Sequence, residues 1–303
     1  MIEAIGLVKR FDGKPAVDNL SFEVRPGVVT GFLGPNGAGK STTMRLMLEL
    51  DRGGGITRFN GKCFRELERP MHQVGTLLEA KAFHPTRSAR NHLRMLAAAS
   101  GISARRADEV LEFVGLGSVA RKKPKSFSLG MGQRLGLAAA LLGEPDVLLL
   151  DEPANGLDPQ GINWLRDFLK SYAARGHTVF ASSHLLAEMQ LMADHLIVIG
   201  RGRLLADTSI ADFVAQSSHT SVIVRSPDAE RLATVLQGRG GSVTRDHDGT
   251  LSVSGLRQDE VGNIAFAERV LVHELTTRTA TLEQAFLEAT AGSEEFESQG
   301  VPQ

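Results

Sequence analysis

Gly34-Pro35-Asn36-Gly37-Ala38-Gly39-Lys40-Ser41-Thr42 is the stretch of this chain whose residue types and spacing most directly imply chemistry, the holding of phosphate oxygens. Gly34, Gly37 and Gly39 let the backbone curl so that successive N–H groups face inward, and a helix N-terminus behind that nest adds a positive field. Lys40 then brings an ammonium point charge to the β- and γ-phosphates of a nucleotide, and Ser41 offers a hydroxyl to Mg²⁺. The bland alternative is a Gly-rich strand-to-helix turn, and a chance match to the whole pattern at this composition is on the order of one in a hundred.

Three further groups carry candidate chemistry. Asp151 and Glu152 end the apolar run Val147-Leu148-Leu149-Leu150, and open α/β sheets bind ligands at the C-terminal ends of such strands. Asp151 can hold the Mg²⁺ of a P-loop nucleotide, and Glu152 can polarise the water that attacks the γ-phosphate. His184 follows another apolar strand; a lone His is more often a satisfied structural group, yet at a strand end in a P-loop fold it can hydrogen-bond a γ-phosphate. Ser128 has two readings as well. It is the expected N-cap of the helix that follows, or, with Gly130 allowing close backbone approach, part of a second anion site.

The elements that position these groups follow in chain order. Residues 2–11 and 16–24 read as strands joined across Asp12-Gly13, a hairpin signal. Phe11, beside that turn, is either a ring that stacks on an adenine face or an ordinary core Phe. A β-branched run from Val28 leads into the Gly-rich stretch and a helix over 42–50, and a short strand over 74–78 runs into Glu79. From 85 to about 142 the texture is helical, an insertion between sheet elements. Its basic run Arg121, Lys122, Lys123, Lys125 reads as a solvated face rather than a nucleic-acid patch. The strand at 147–150, a helix opened by Asp158-Pro159, and strands over 178–181 and 195–199 complete the region.

Composition narrows the function classes. A chain of 303 residues suggests about two domains, and 42% apolar residues suffice for real cores. Net charge is -1 with a pI near 6.8, so no global electrostatic footprint for nucleic acid or anionic membrane is visible. One cysteine, Cys63, excludes a disulfide framework and a Cys-based zinc site and fits a reducing cytoplasm. No charged-then-apolar leader and no apolar run of membrane-spanning length is present, so the chain is not expected to cross a membrane by itself.

Taken in order, these motifs resemble the nucleotide-binding subunit of an ATP-binding cassette (ABC) transporter, most of all the ATPases of bacterial drug and lantibiotic exporters. Walker A is GPNGAGKST, Walker B is VLLLDEP, the signature is FSLGM, the D-loop is GLDP and the switch histidine is His184; the likeness covers about residues 1–212. The resemblance implies that ATP and Mg²⁺ are the cofactors, and that two such subunits close head to tail over two ATP molecules. Each nucleotide would lie between Phe11 and the run Gly34 to Thr42 of one copy and Ser128 and Gly130 of the other, with Asp158 also at the nucleotide. Lys40, Glu79, Glu152 and His184 are the implied catalytic residues, and Ser41, Glu79 and Asp151 the implied metal ligands. Glu79 stands where the family usually has Gln, a residue that touches Mg²⁺ and the water and reports to the membrane subunit; Glu can do both with an added negative charge. The signature has Leu129 and Met131 in place of Gly and Gln, and Phe11 replaces the usual Tyr. The implied partners are a second copy or a homologous ATPase and a multi-spanning permease, with no nucleic acid. The implied location is cytoplasmic, peripheral on the inner face of the cell membrane.

The chain therefore reads as an α/β protein, a P-loop NTPase of the ABC type with a helical insertion, over 1–215. A strand-helix-strand-strand-helix-strand pattern over 220–290 predicts a small C-terminal α+β ferredoxin-like domain that carries no catalytic constellation. The polar, acidic tail 291–303 is expected to be disordered. Alternatives to a transport ATPase are a soluble ABC ATPase acting on nucleic acid or ribosomes, which would resemble tandem cassettes or zinc modules, and a P-loop regulator without a transport role.

Overall fold

β1 (Ile2–Phe11) and β2 (Lys14–Val24) alternate buried and exposed side chains, the mark of a sheet with one wet face. They turn on Asp12 and Gly13, both in the left-handed region at φ 48° and 81°. β3 (Val29–Leu33) is buried along its whole length, as a strand covered on both faces must be. Behind it α1 (Lys40–Met47) starts at Gly39, and β4 (Gly54–Phe59) returns to pair antiparallel with β1. This computed structural model describes residues 1–79, 81–84, 86–217, 220–246 and 249–291.

The chain continues through α2 (Pro70–Gln73) and β5 (Val74–Leu77) into three helices, α3 (Ala89–Ala99), α4 (Ala104–Phe113) and α5 (Leu129–Ala140). Ser88, Ser103 and Ser128 cap them through side-chain oxygens that accept backbone N–H groups. Then come β6 (Val147–Leu150), α6 (Pro159–Ala174), β7 (Thr178–Ser182), α7 (Leu186–Met192), β8 (His195–Gly200) and β9 (Arg203–Ser209).

Two sheets result. One has the order β2-β1-β4; the other has the order β5-β6-β7-β3-β8-β9, with every pairing from β5 to β8 parallel. Phe22 of β2, Phe32 of β3 and Phe180 of β7 form one ring cluster between them, with centroids 4.9 to 5.9 Å apart. In the parallel sheet β6, β7 and β3 are neighbours, so residues that follow their C-terminal ends share one crevice. The helical insertion is fastened to β5 at close range: a side chain at Gly75 would lie 2.2 Å from the carbonyl oxygen of Ala140.

A second compact unit spans Ser209–Ala289, apart from Met1–Thr208. It opens with α8 (Ile210–Ala215) and continues with β10 (Ser221–Arg225), α9 (Ala229–Gly238), β11 (Ser242–Arg245), β12 (Leu251–Ser254), α10 (Gln258–Ala267), β13 (Glu274–Arg278) and α11 (Leu282–Thr290). The strands order as β11-β12-β10-β13, all antiparallel, the ferredoxin-like arrangement. Val222, Val224, Leu232, Leu236, Leu251, Val253 and Val261 fill its core.

Several elements differ from the sequence reading. β4, α7 and β9 were not expected. β4 opens on two glycines, poor strand formers, and pairing with β1 makes it a strand. The last strand of the second unit starts at Glu274, because the register Arg225↔Glu274 to Ser221↔Arg278 with β10 fixes it, and the apolar Leu271 before it is left exposed. The helix behind the Gly-rich stretch begins at Lys40, two residues early, and ends at Met47. From residue 292 the expected tail lies outside the described residues. Among the described residues no helix is long and apolar enough to cross a membrane.

Candidate active site

The Gly-rich stretch leaves β3 and reaches α1 through two left-handed glycines, Gly37 (φ 82°) and Gly39 (φ 101°). A Cβ at Gly39 would lie 2.3 Å from the carbonyl oxygen of Ala16, so the loop is pressed against β2 with no room for a side chain. Lys40, only 8% exposed, folds back and donates from Nζ to the carbonyl oxygens of Gly34 (2.6 Å) and Pro35 (3.3 Å). Burial pushes its pKa below the ordinary lysine range, against the pull of Glu152 and Asp151. No carboxylate is within ion-pair distance among the described residues, so this buried ammonium has carbonyl dipoles and no counter-ion; phosphate oxygens supply what it lacks. The residues present thus fit a nucleotide phosphate chain.

Asp151 and Glu152 leave β6 beside the end of β7. Ser182 links the pair: its Oγ donates to Asp151 Oδ1 (2.5 Å) and accepts the Glu152 N–H (2.9 Å). Glu152 sits in the left-handed region at φ 49°, and Gln133 of α5 holds that turn by donating from Nε2 to its carbonyl oxygen (2.5 Å). The Glu152 carboxylate points to His184, whose Nδ1 is 2.5 Å from Oε2 and whose backbone N–H donates to the same oxygen at 3.2 Å. A carboxylate fixed in this way can orient a water and take its proton. Among the described residues no group of three or more His, Cys, Asp or Glu is arranged to hold a metal alone, so a divalent ion here would share its coordination with substrate oxygens.

One cavity of about 960 Å³ brings together Phe11, the stretch Asn36 to Thr42, Glu152 and His184. Phe11 is 51% exposed on it, with Lys9 Nζ 4.8 Å from the ring centroid, so it is not a core Phe. Gly34 and Pro35 lie beneath the cavity and face Lys40 with their carbonyls. The structure does not bring Glu79, Ser128, Gly130 or Asp158 to this cavity. Glu79 is exposed in a separate groove of about 450 Å³ with Arg45, Phe83 and His92. Ser128 Oγ accepts the Met131 N–H at 3.2 Å, and Asp158 Oδ1 accepts the Gly161 N–H at 2.9 Å, each capping its own helix. The two caps are neighbours: a Cβ at Gly130 would lie 2.4 Å from the Gly156 carbonyl oxygen, and Arg134 of α5 is 3.8 Å from Asp158.

Sequence reasoning assigned no role to Ser182, Gln133, Lys14 or Arg201, although Lys14 and Arg201 line the cavity. Ser182 was detectable as a strand-end hydroxyl next to a strand-end Asp; Gln133 was not, since only tertiary packing brings a helix side chain to the Glu152 backbone.

The ABC transporter family model matches residues 17–155, and a domain of unknown function, DUF8746, matches 220–283. The chain is 42% identical over 211 residues to the bacitracin transport ATP-binding protein BcrA of Bacillus licheniformis, covering 68% of this chain and 69% of that protein. It is 32% identical over 297 residues to the daunorubicin/doxorubicin resistance ATP-binding protein DrrA of Streptomyces peucetius, covering 95% of this chain and 90% of that one. A bacterial ABC transporter cassette solved as a dimer superposes with a TM-score of 0.63 at 21% identity, over 69% of this chain and 98% of that one.

Proposed function

Because the chain belongs to the ABC transporter family of ATP-binding proteins, we propose that it powers a membrane exporter of the drug or antibiotic type, coupling MgATP hydrolysis to the movement of a separate permease. The observation that carries this reading is the cavity in which an uncompensated Lys40 faces the paired Glu152 and His184. Lys40 holds the β- and γ-phosphates, and the backbone N–H groups of Gly37 and Gly39 face them. Ser41 and Asp151 would hold Mg²⁺, with Ser182 fixing the Asp151 carboxylate. Magnesium held there would supply electrostatic stabilisation of the charge that builds during phosphoryl transfer. Glu152 orients the attacking water and accepts its proton; His184 keeps the carboxylate aimed and hydrogen-bonds the γ-phosphate.

Each nucleotide is then closed by a second copy or a homologue. Ser128, Gly130 and Asp158 stand outside the cavity of their own chain, which supports a head-to-tail pair in which they meet the partner's ATP. A cassette of similar fold was solved as a dimer, which agrees with pairing as such. Leu129 and Met131 keep the signature backbone while giving up the polar side chain of a Gln.

The permease docks on the groove that holds Glu79, Phe83 and His92, which keeps the subunit peripheral on the inner face of the membrane. Cys63 is the one thiol of the chain, so a Cys63→Ser, Phe83→Cys protein carries a single reporter in that groove. Crosslinking from position 83 to a multi-spanning protein in native membranes, with surface controls silent, is the expected result. A reporter at 83 that captures no more membrane protein than those controls would refute the docking assignment.

A further inference from the structure

The helical insertion carries a charge that the balance of the whole chain conceals. Residues 81–127 hold ten Lys and Arg against three Asp and Glu, in a chain whose net charge is -1. Asp108 is taken up by Arg90 (2.6 Å) and Arg94 (2.9 Å), and Glu109 by Arg105 (2.9 Å) and Arg106 (3.3 Å). Those pairs leave a second set uncompensated. Arg121, Lys122, Lys123 and Lys125 are all exposed, and among the described residues none has a carboxylate within ion-pair distance; the same holds for exposed Lys81 and Arg87.

The four clustered cations are fixed in place. The carbonyl oxygens of Ala120 and Lys122 accept the N–H groups of Arg90 (2.8 Å) and Ala89 (3.0 Å), which pins the segment to the first turn of α3. A tight turn over Pro124–Ser126, with Pro124 buried and Ser126 Oγ donating to Lys123 O at 2.9 Å, holds the side chains outward. That first turn of α3 contains no acidic residue, so the positive end of the helix lies beside the cations and adds to their field. Like charges gathered without a counter-charge repel one another, and an anionic surface relieves them.

We infer that residues 121–125 form a lipid-contact surface that lies against the anionic phospholipid of a membrane leaflet. Three of the four are lysines, compact point charges on flexible stems that suit a diffuse field of headgroups better than planar, bidentate recognition. No aromatic residue lies among them to stack a nucleic-acid base. The same helix that anchors the segment also lends His92 and Leu96 to the groove proposed for permease docking, so one element carries both contacts.

The test is vesicle flotation with the full chain, comparing phosphatidylglycerol-containing vesicles with pure phosphatidylcholine. Binding is expected to the anionic vesicles alone, at about 50 mM salt, and to vanish near about 0.5 M as the charges are screened. Replacing all four residues (R121Q/K122Q/K123Q/K125Q) should weaken it by at least about tenfold, with binding of a fluorescent ATP analogue unchanged. Three results would each overturn the inference: a nucleotide-binding wild type that ignores anionic vesicles at low salt, a fourfold variant that binds them as well as wild type, or tighter binding to duplex DNA than to the vesicles at equal salt. The vesicles contain no permease and the assay needs no hydrolysis, so failure here leaves the exporter reading standing. Loss of nucleotide binding would strike that reading and not this one.

Discussion

Ser182 Oγ touches both members of the carboxylate pair, as donor to Asp151 and acceptor for the backbone of Glu152. Ser182→Ala therefore loosens the proposed metal ligand and the proposed base at once. Turnover should fall by about tenfold or more and the Mg²⁺ concentration for half-maximal rate should rise, while nucleotide binding without Mg²⁺ stays near wild type; leaving Asp151 Oδ1 unsatisfied should also cost about 1–3 kcal/mol of stability. Metal-titrated kinetics check this, and a variant with an unchanged Mg²⁺ requirement would separate Ser182 from the metal site. Gln133 is 3% exposed and acts on the same residue from the other side, as the donor to the Glu152 carbonyl. Gln133→Glu keeps its shape and removes that donor, so kcat should fall more than KM changes. At this scale the sequence was informative for side chains that line the cavity, because Lys40, Glu152 and His184 follow strand ends that pattern alone can locate. It was silent on the residues that aim them, because a hydrogen bond from α5 to a left-handed turn 19 positions on has no local signal.

Among the elements, the Gly-rich turn has the least tolerance. Gly39→Ala would force a Cβ into the Ala16 carbonyl at a φ of 101°, so ATP binding should be lost while the rest of the parallel sheet, which does not depend on that turn, stays folded. Circular dichroism with a nucleotide-binding assay would report both. α3 yields a pH prediction. His92 is buried, its Nδ1 has no hydrogen-bond partner among the described residues, and burial, aided by Arg87 and His84, holds its pKa below the usual imidazole value. The unfolded chain thus binds a proton there that the folded chain resists, so stability is lost as pH falls below about 6.5, and this loss is absent above it. Between pH 7 and 5 the denaturant midpoint of His92→Leu should fall less than that of wild type; equal losses would show that other groups set the acid response. The order of strands and helices was legible from apolar runs, caps and turn glycines. β4 and the register of β13 were not, because pairing with a distant strand, rather than local propensity, makes them what they are.

Over the whole molecule, the residues described as lining the cavity all belong to Met1–Thr208. A chain ending at Thr208 is expected to bind ATP as the full chain does, with any change confined to pairing or regulation; a truncated protein that folds yet cannot bind nucleotide would show that the second unit completes the first. The proposed mechanism depends above all on two copies closing over two nucleotides, with Glu152 as the base that ends that state. In Glu152→Gln the water-activating carboxylate is gone, and general-base losses are about 10²- to 10⁴-fold. The measurement is sedimentation velocity of Glu152→Gln with and without MgATP, after nucleotide binding has been shown. A monomer without nucleotide, a dimer with it, and a return to monomer when Ser128→Arg crowds the signature is the predicted result. An ATP-loaded Glu152→Gln protein that remains monomeric at high concentration, or that hydrolyses ATP as fast as wild type, would contradict it.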